Sequence, residues 1–218
     1  MQAESSTPAP REEGLPEYII AALRRVGLSR RKYQETACLN ALNLLRDGEN
    51  AEINLPPGTG KTLIGQMIAC MWIQERSPTN DKVLCILPSS VLREQHHWYC
   101  VWWAGESGLV RPLEITSQWI RSRMVWHQGQ AEERDFWFAL PTAFCNAVES
   151  GHIPFNALRR ISLVLIDEYD AFSVGLLRAG GYGLRLSAPS ERLFRILECE
   201  KRRYLLISAT PARHRAEP

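Results

Sequence analysis

Three short stretches of this 218-residue chain carry residue types suited to work on a phosphate ester. The first is Leu55-Pro56-Pro57-Gly58-Thr59-Gly60-Lys61-Thr62, which stands where an apolar run ends and a helical pattern begins. At such a junction glycines let backbone N–H groups turn inward around a phosphate, and the emerging helix adds the positive end of its dipole. Pro57, Gly58, Thr59 and Gly60 form that cradle, Lys61 sets a compact cation against the β- and γ-phosphates, and Thr62 offers a hydroxyl to Mg²⁺. Leu55 stands where the general phosphate-loop pattern has glycine.

A phosphate cradle alone hydrolyses nothing, because the metal needs a carboxylate and the attacking water needs orienting. The second stretch, Asp167-Glu168-Tyr169-Asp170, follows the apolar run 161–166 and supplies both. Asp167 is the expected Mg²⁺ partner, Glu168 the group that polarises water, and Asp170 a link to the next strand. The bland reading, that these acids cap a helix, accounts for one acid there but not for its pairing with the upstream loop. The third stretch is Ser208-Ala209-Thr210, whose hydroxyls close another apolar run. Ser208 and Thr210 can couple to Asp170 or sense the γ-phosphate.

These stretches act together only if the fold brings them to one edge. Short runs rich in β-formers at 51–55, 83–87, 113–116, 136–140, 161–166 and 204–208 alternate with helical patterns at 61–75, 90–103, 142–149 and 190–199. Two further helices are expected at 16–26 and 32–45. Continuous apolar strands separated by helices predict an α/β domain with a mainly parallel sheet, flanked by helices on both faces. Acids and hydroxyls at the carboxyl ends of such strands then face the phosphate loop. The expected division is a disordered polar tail over 1–14, one domain over 15–211 and a short polar tail over 212–218.

Composition agrees with one globular domain: 45% of residues are apolar and 23% charged, with a formal net charge of only +2. Nucleic-acid binding would therefore show as a local stripe rather than in the total. The scattered cysteines 38, 70, 85, 100, 145 and 199 form no metal-like spacing and read as reduced thiols of an intracellular protein, cytoplasmic or nuclear. No secretory leader or transmembrane run is expected. Six of the seven tryptophans lie between Trp98 and Trp137. Beside Arg121, Arg123 and Arg134 they suit either a base-stacking platform or, more simply, the packing of a sheet flank.

In their order the three stretches resemble the front half of a superfamily 2 DExD/H-type helicase, with residues 56–62 as motif I, 167–170 as motif II and 208–210 as motif III. The resemblance spans roughly 30–211 and implies a RecA-like P-loop NTPase fold with ATP and Mg²⁺ as its cofactors. Arg31-Lys32-Tyr33-Gln34 is similar to the start of helicases related to type III restriction subunits, which implies that Gln34 and Arg31 read the adenine edge. Lys32 replaces the proline of that pattern. Residues 88–95 resemble motif Ia and Thr142 belongs to the later threonine motif, which implies that Ser89, Ser90, Arg93 and Thr142 hold a DNA or RNA backbone. Ser89 and Thr142 as plain helix caps is the competing reading. No room for the family's second lobe follows Thr210, so a second polypeptide is the expected source, and turnover by this chain alone is expected to be weak. A single-lobe nucleotide-gated binding module, and an AAA+ type ATPase, remain open alternatives at this stage.

Overall fold

The computed structural model of the chain describes residues 14–121, 124–172, 188–198 and 202–209. Residues 1–13 of the tail expected over 1–14, the tail expected over 212–218, Arg123, Cys199 and Thr210 lie outside them, as do the side chains of Trp126 and Asp170. Two helices open the chain, α1 (Glu17–Arg25) and α2 (Lys32–Arg46). The sheet strands are β1 (Ala51–Asn54), β2 (Lys82–Ile86), β3 (Pro112–Ile115), β4 (Phe136–Ala139), β5 (Ile161–Asp167) and β6 (Arg203–Ser208). Between them run α3 (Lys61–Glu75), α4 (Ser90–Cys100), α5 (Ser117–Ile120), α6 (Met124–Glu133), α7 (Pro141–Glu149), α8 (Phe155–Arg159), α9 (Tyr169–Phe172) and α10 (Ala188–Leu197).

The six strands form one all-parallel sheet in the order β1-β6-β5-β2-β4-β3. The inner strands β2, β4 and β5 are buried almost throughout, as a sheet covered on both sides requires, whereas the edge strands β1 and β3 alternate buried and more exposed residues. On β2, Val83 and Cys85 join a core shared with α1, α2, α3 and α4, while Leu84 and Ile86 join a core with α7, α8 and α10. The strand repeat of two thus divides one apolar run between two cores. The short helices α5, α6, α8 and α9 were not expected from periodicity, and all but α6 span too few residues to repeat a pattern. The helix expected to reach residue 103 ends at Cys100, and a π-helical turn over Val101–Gly105 continues it.

α3 is apolar nearly all round, with every residue from Leu63 to Ile73 buried and Gln66 the one polar side chain among them. Gly65 permits this closeness: a Cβ there would stand 2.6 Å from Ile207 Cδ1 and 3.0 Å from Leu165 Cδ1. Lys82 is the anomaly of the sheet, fully buried at the head of β2. Its Nζ donates to the carbonyls of Glu132 and Arg134 at 2.8 and 2.6 Å, and so caps the carboxyl end of α6. Burial pushes its pKa down to about 8.

Trp103 and Trp137 are fully buried, Trp102 and Trp119 are half-buried, and Trp98 alone among these is exposed. The tryptophan-rich stretch therefore serves mainly as packing. All five described cysteines are buried and none is paired. Burial raises the thiols of Cys70, Cys85 and Cys100 well above their ordinary range. A group whose pKa is raised on folding contributes stability that is complete below its unfolded value, near 9, and lost as pH climbs above it. The chain should lose stability between pH 9 and 10.5, each such thiol contributing about 1.4 kcal/mol per pH unit. Urea midpoints measured across that range should fall less steeply for Cys70→Ala, and an unchanged slope would count against the thiols as the cause.

Candidate functional site

Because every strand runs the same way, the loops after β1, β2, β4 and β5 and the end of β6 lie along one edge of the sheet. β1 and α3 are joined there by the loop 55–60. Gly58 and Gly60 hold φ of 76° and 81°, values open to glycine at little cost. Gly60 is the N-cap of α3 and offers no side chain to its first turn, so the leading N–H groups of that helix face the loop. Thr59 Oγ1 donates to Pro56 O at 2.7 Å and tightens the turn. Lys61 Nζ lies inside the loop, donating to Leu55 O and Pro56 O at 2.9 and 3.0 Å. An ammonium so placed stands at the centre of the loop, held by backbone carbonyls that an anion could displace.

The start of α2 is fastened to the same loop. Gln34 Nε2 donates to Thr59 O at 2.9 Å, and Tyr33 Oη donates to that same carbonyl at 2.8 Å. Gln34 is buried. Its Oε1 accepts no hydrogen bond among the described residues. Arg31 is exposed next to it, with Nη1 3.4 Å from Tyr33 Oη. Tyr33 belongs to the site by this contact. A lone aromatic at a helix start carries no motif of its own, so spacing alone assigns Tyr33 no role.

β5 delivers the acids. Asp167 is the last residue of the strand and is buried, whereas Glu168 is exposed just beyond it. Glu168 adopts φ of 50°, a left-handed conformation that costs a non-glycine residue about 1–2 kcal/mol. Its N–H donates to Asp167 Oδ1 at 3.1 Å. Tyr169 Oη reaches back to Glu52 Oε1 at 2.6 Å, tying the turn to β1. Ser208 at the end of β6 is buried and pairs in register with Asn54, while Ile207 pairs with Asp167. Ser208 therefore stands at the level of the phosphate loop and the acids.

One contributor was not foreseen. His96, buried on α4, has its Nε2 3.0 Å from Asp167 Oδ2 and 3.3 Å from Thr62 Oγ1. The fold thus brings Thr62 and Asp167 to a common point through a residue distant from both. No motif flags position 96, because the contact exists only once α4 packs beside α3.

The four residues expected at a nucleic-acid backbone divide. Ser89 caps α4, its Oγ accepting from Leu92 N–H at 3.3 Å, and Ser90 is exposed beside it. Thr142 is exposed in the first turn of α7, whose N-cap is Leu140 and not a hydroxyl side chain. These positions share the edge that carries the phosphate loop. Arg93 instead donates through Nε to Glu114 Oε1 at 2.7 Å, an ion pair that joins α4 to β3.

The left-handed turn at Glu168 makes a clean test, since both variants below lose the same carboxylate. Glu168→Gly should be more stable than Glu168→Ala by about 1 kcal/mol, or roughly 2–4 °C in melting temperature. Equal melting temperatures would remove the strain from this account.

Against solved structures the chain is similar to the RNA-helicase Prp28 from Chaetomium thermophilum bound to ADP, at TM-score 0.66 and 19% identity over 94% of this chain and 46% of that one. It is also similar to the DUF1998 helicase MrfA bound to DNA and AMPPNP, at TM-score 0.68 and 18% identity over 94% of this chain and 27% of that one. A hypothetical ATP-dependent RNA helicase from Sulfolobus tokodaii matches at TM-score 0.62 and 18% identity, over 89% of this chain and 50% of that one. The chain spans about a quarter to a half of the length of these helicases. No curated protein matches by sequence. The DEAD/DEAH box helicase model matches residues 31–217, nearly the whole of the described sheet and its helices, and the chain belongs to that family.

Proposed function

We propose that this helicase-type domain is the ATP-binding lobe of a nucleic-acid-dependent ATPase, a helicase or a translocase. The observation that carries the reading is the convergence of Thr62 and Asp167 on one atom, His96 Nε2, at 3.3 and 3.0 Å beside the phosphate loop. A hydroxyl and a carboxylate are the hard oxygen donors that Mg²⁺ takes, so the residues present fit that ion. When bound with nucleotide, Mg²⁺ supplies charge neutralisation to the β- and γ-phosphate oxygens.

The rest is work for the chain itself. Backbone N–H groups from Gly58 to Thr62 hold the phosphates, and Lys61 exchanges the carbonyls of Leu55 and Pro56 for phosphate oxygens. Gln34, with Oε1 unengaged, accepts from the adenine amine while its Nε2 stays on the loop, and Arg31 lies alongside. Glu168 orients the attacking water and takes its proton. The new oxygen–phosphorus bond then forms as the bond to the departing ADP breaks. Asp170, Ser208 and Thr210 couple this site to the neighbouring strand. Ser89, Ser90 and Thr142 meet a single strand of DNA or RNA along the sheet edge through its backbone, with Arg93 joining if its pair with Glu114 opens.

In this reading the arginine that completes hydrolysis comes from a second lobe, within a longer protein or on a partner chain. Fluorescent ATP analogue with Mg²⁺ should bind the chain saturably, and Lys61→Ala should weaken binding about ten- to a hundredfold, the value of losing a charged hydrogen-bond donor. Equal binding by the two proteins would sink the assignment of the loop. Hydrolysis by the chain alone should be slow and should rise on adding single-stranded nucleic acid with a second-lobe polypeptide. Fast turnover by the pure chain would overturn the need for that lobe.

A further inference from the structure

The amino edge of the sheet, opposite the phosphate loop, holds a second concentration of charge. A cleft of about 750 Å³ opens there between α8, the carboxyl ends of α2, α3 and α10, and the starts of β5 and β6. Its walls carry six arginines, Arg46, Arg76, Arg159, Arg160, Arg202 and Arg203, against two acids, Asp81 and Glu198. Ile161 and Ser162 of β5 line it, whereas Asp167 ends that strand. At about 3.3 Å per residue, roughly 20 Å separate the cleft from the acids at the other edge.

Helix carboxyl ends attract cations, and part of the cluster answers that need. Arg202 is buried and donates through Nε to Ile161 O at 3.0 Å, through Nη2 to Leu158 O at 2.9 Å and through Nη1 to Leu197 O, closing the ends of α8 and α10. Arg46 pairs with Glu75, its Nε 3.1 Å from Oε2. Arg76 lies 3.3 Å over the Trp72 ring, with Glu75 and Asp81 at 3.8 and 3.7 Å. Burial lowers the Arg76 pKa, and the charges of Arg46 and Arg203 lower it further against the pull of those acids. Arg159 and Arg160 exceed the need, because Arg202 already bonds the end of α8. Both are exposed, and neither pairs with a carboxylate among the described residues. The Arg159 guanidinium stands 5.5 Å from the ring of Phe155, which is 68% exposed at the mouth of the cleft. Ser162 Oγ accepts from Trp72 Nε1 at 2.9 Å, which leaves the hydroxyl proton for a ligand.

We propose that this cleft binds a small ligand bearing two or more phosphate groups, at a site separate from the phosphate loop. Guanidinium forks match phosphate oxygens two at a time. Arg159 and Arg160 stand on the α8 side, and Arg46, Arg76 and Arg203 on the side of α2, α3 and β6, so a ligand with two anionic groups engages both. The volume is that of a small-molecule site, whereas a nucleic-acid backbone tracks an extended groove. This assignment stands whether or not the loop 55–60 holds nucleotide.

The test titrates the full chain with sodium tripolyphosphate and follows amide hydrogen exchange, which reports the cleft and the phosphate loop separately. Saturable slowing of exchange is expected at 157–163 and 202–205. Substituting Arg159→Ala and Arg160→Ala together should weaken binding at these segments about tenfold or more, while any protection at 55–62 remains. Arg160→Gln alone, at an exposed position, repeats the comparison should the double variant fail to fold. Slowed exchange confined to 55–62 overturns the proposal, as does unchanged binding at the cleft in a folded variant. Citrate bound there as tightly as tripolyphosphate overturns the phosphate assignment. A single-stranded oligonucleotide that protects the cleft segments when tripolyphosphate does not overturns the small ligand in favour of a nucleic-acid surface.

Discussion

A helix buried on every side has one stable place in a small domain, and α3 occupies it. Buried from Leu63 to Ile73, it must lie between the sheet and α2, and Gly65 sets how near it comes to β5 and β6. Wedged there, its first turn is fixed at the carboxyl edge of the strands. The phosphate loop has no freedom to be elsewhere, and the uncapped N–H groups of the helix present themselves to it as a consequence of apolar burial. Thr62 and Gln66, on the face of α3 toward α4, carry that fixed position to His96 and through it to Asp167. The polar site is positioned by an apolar constraint.

Around this helix the loop is closed from the other side by α2. Tyr33 and Gln34 share the Thr59 carbonyl, so the start of α2 and the loop 55–60 are tied through one oxygen. A Cβ on Gly60 would stand 2.5 Å from Gln34 Nε2, which leaves glycine as the residue that allows both the left-handed turn and this contact. Glu168 holds a left-handed turn without being glycine, at the residue assigned to the water. Strain of this kind persists where surrounding bonds over-determine the backbone, and here Asp167 Oδ1 and the Tyr169–Glu52 contact do so.

The six strands and the parallel class of the sheet were legible from short β-forming runs between helical patterns, most plainly at β2, β4 and β5, where strands buried on two faces write an unbroken signal. The phosphate loop and the acids were legible from spacing, since their chemistry needs adjacent residues. What stayed hidden depends on contacts between elements. His96 joins the site only through the packing of α4 on α3, and Gln34 is buried by the loop and not by its own helix. The tryptophans read ambiguously because an aromatic-rich stretch looks alike whether it faces bases or a core, and the burial of Trp103 and Trp137 decides for the core. Arg93 read as a backbone contact because its partner, Glu114, lies on a different strand-forming segment.

The buried cysteines divide between the faces of the sheet. Cys38, Cys70, Cys85 and Cys100 belong to the core under α1 to α4, and Cys145 belongs to the core under α7, α8 and α10. A thiol reagent reaches any of them only through a fluctuation that opens the corresponding layer. The molecule therefore carries its own clocks, one set per layer, that time the opening of the side under α1 to α4 separately from the side under α7, α8 and α10. Whether the two halves of this sandwich breathe together or independently is written into the rates at which those sulfurs are modified.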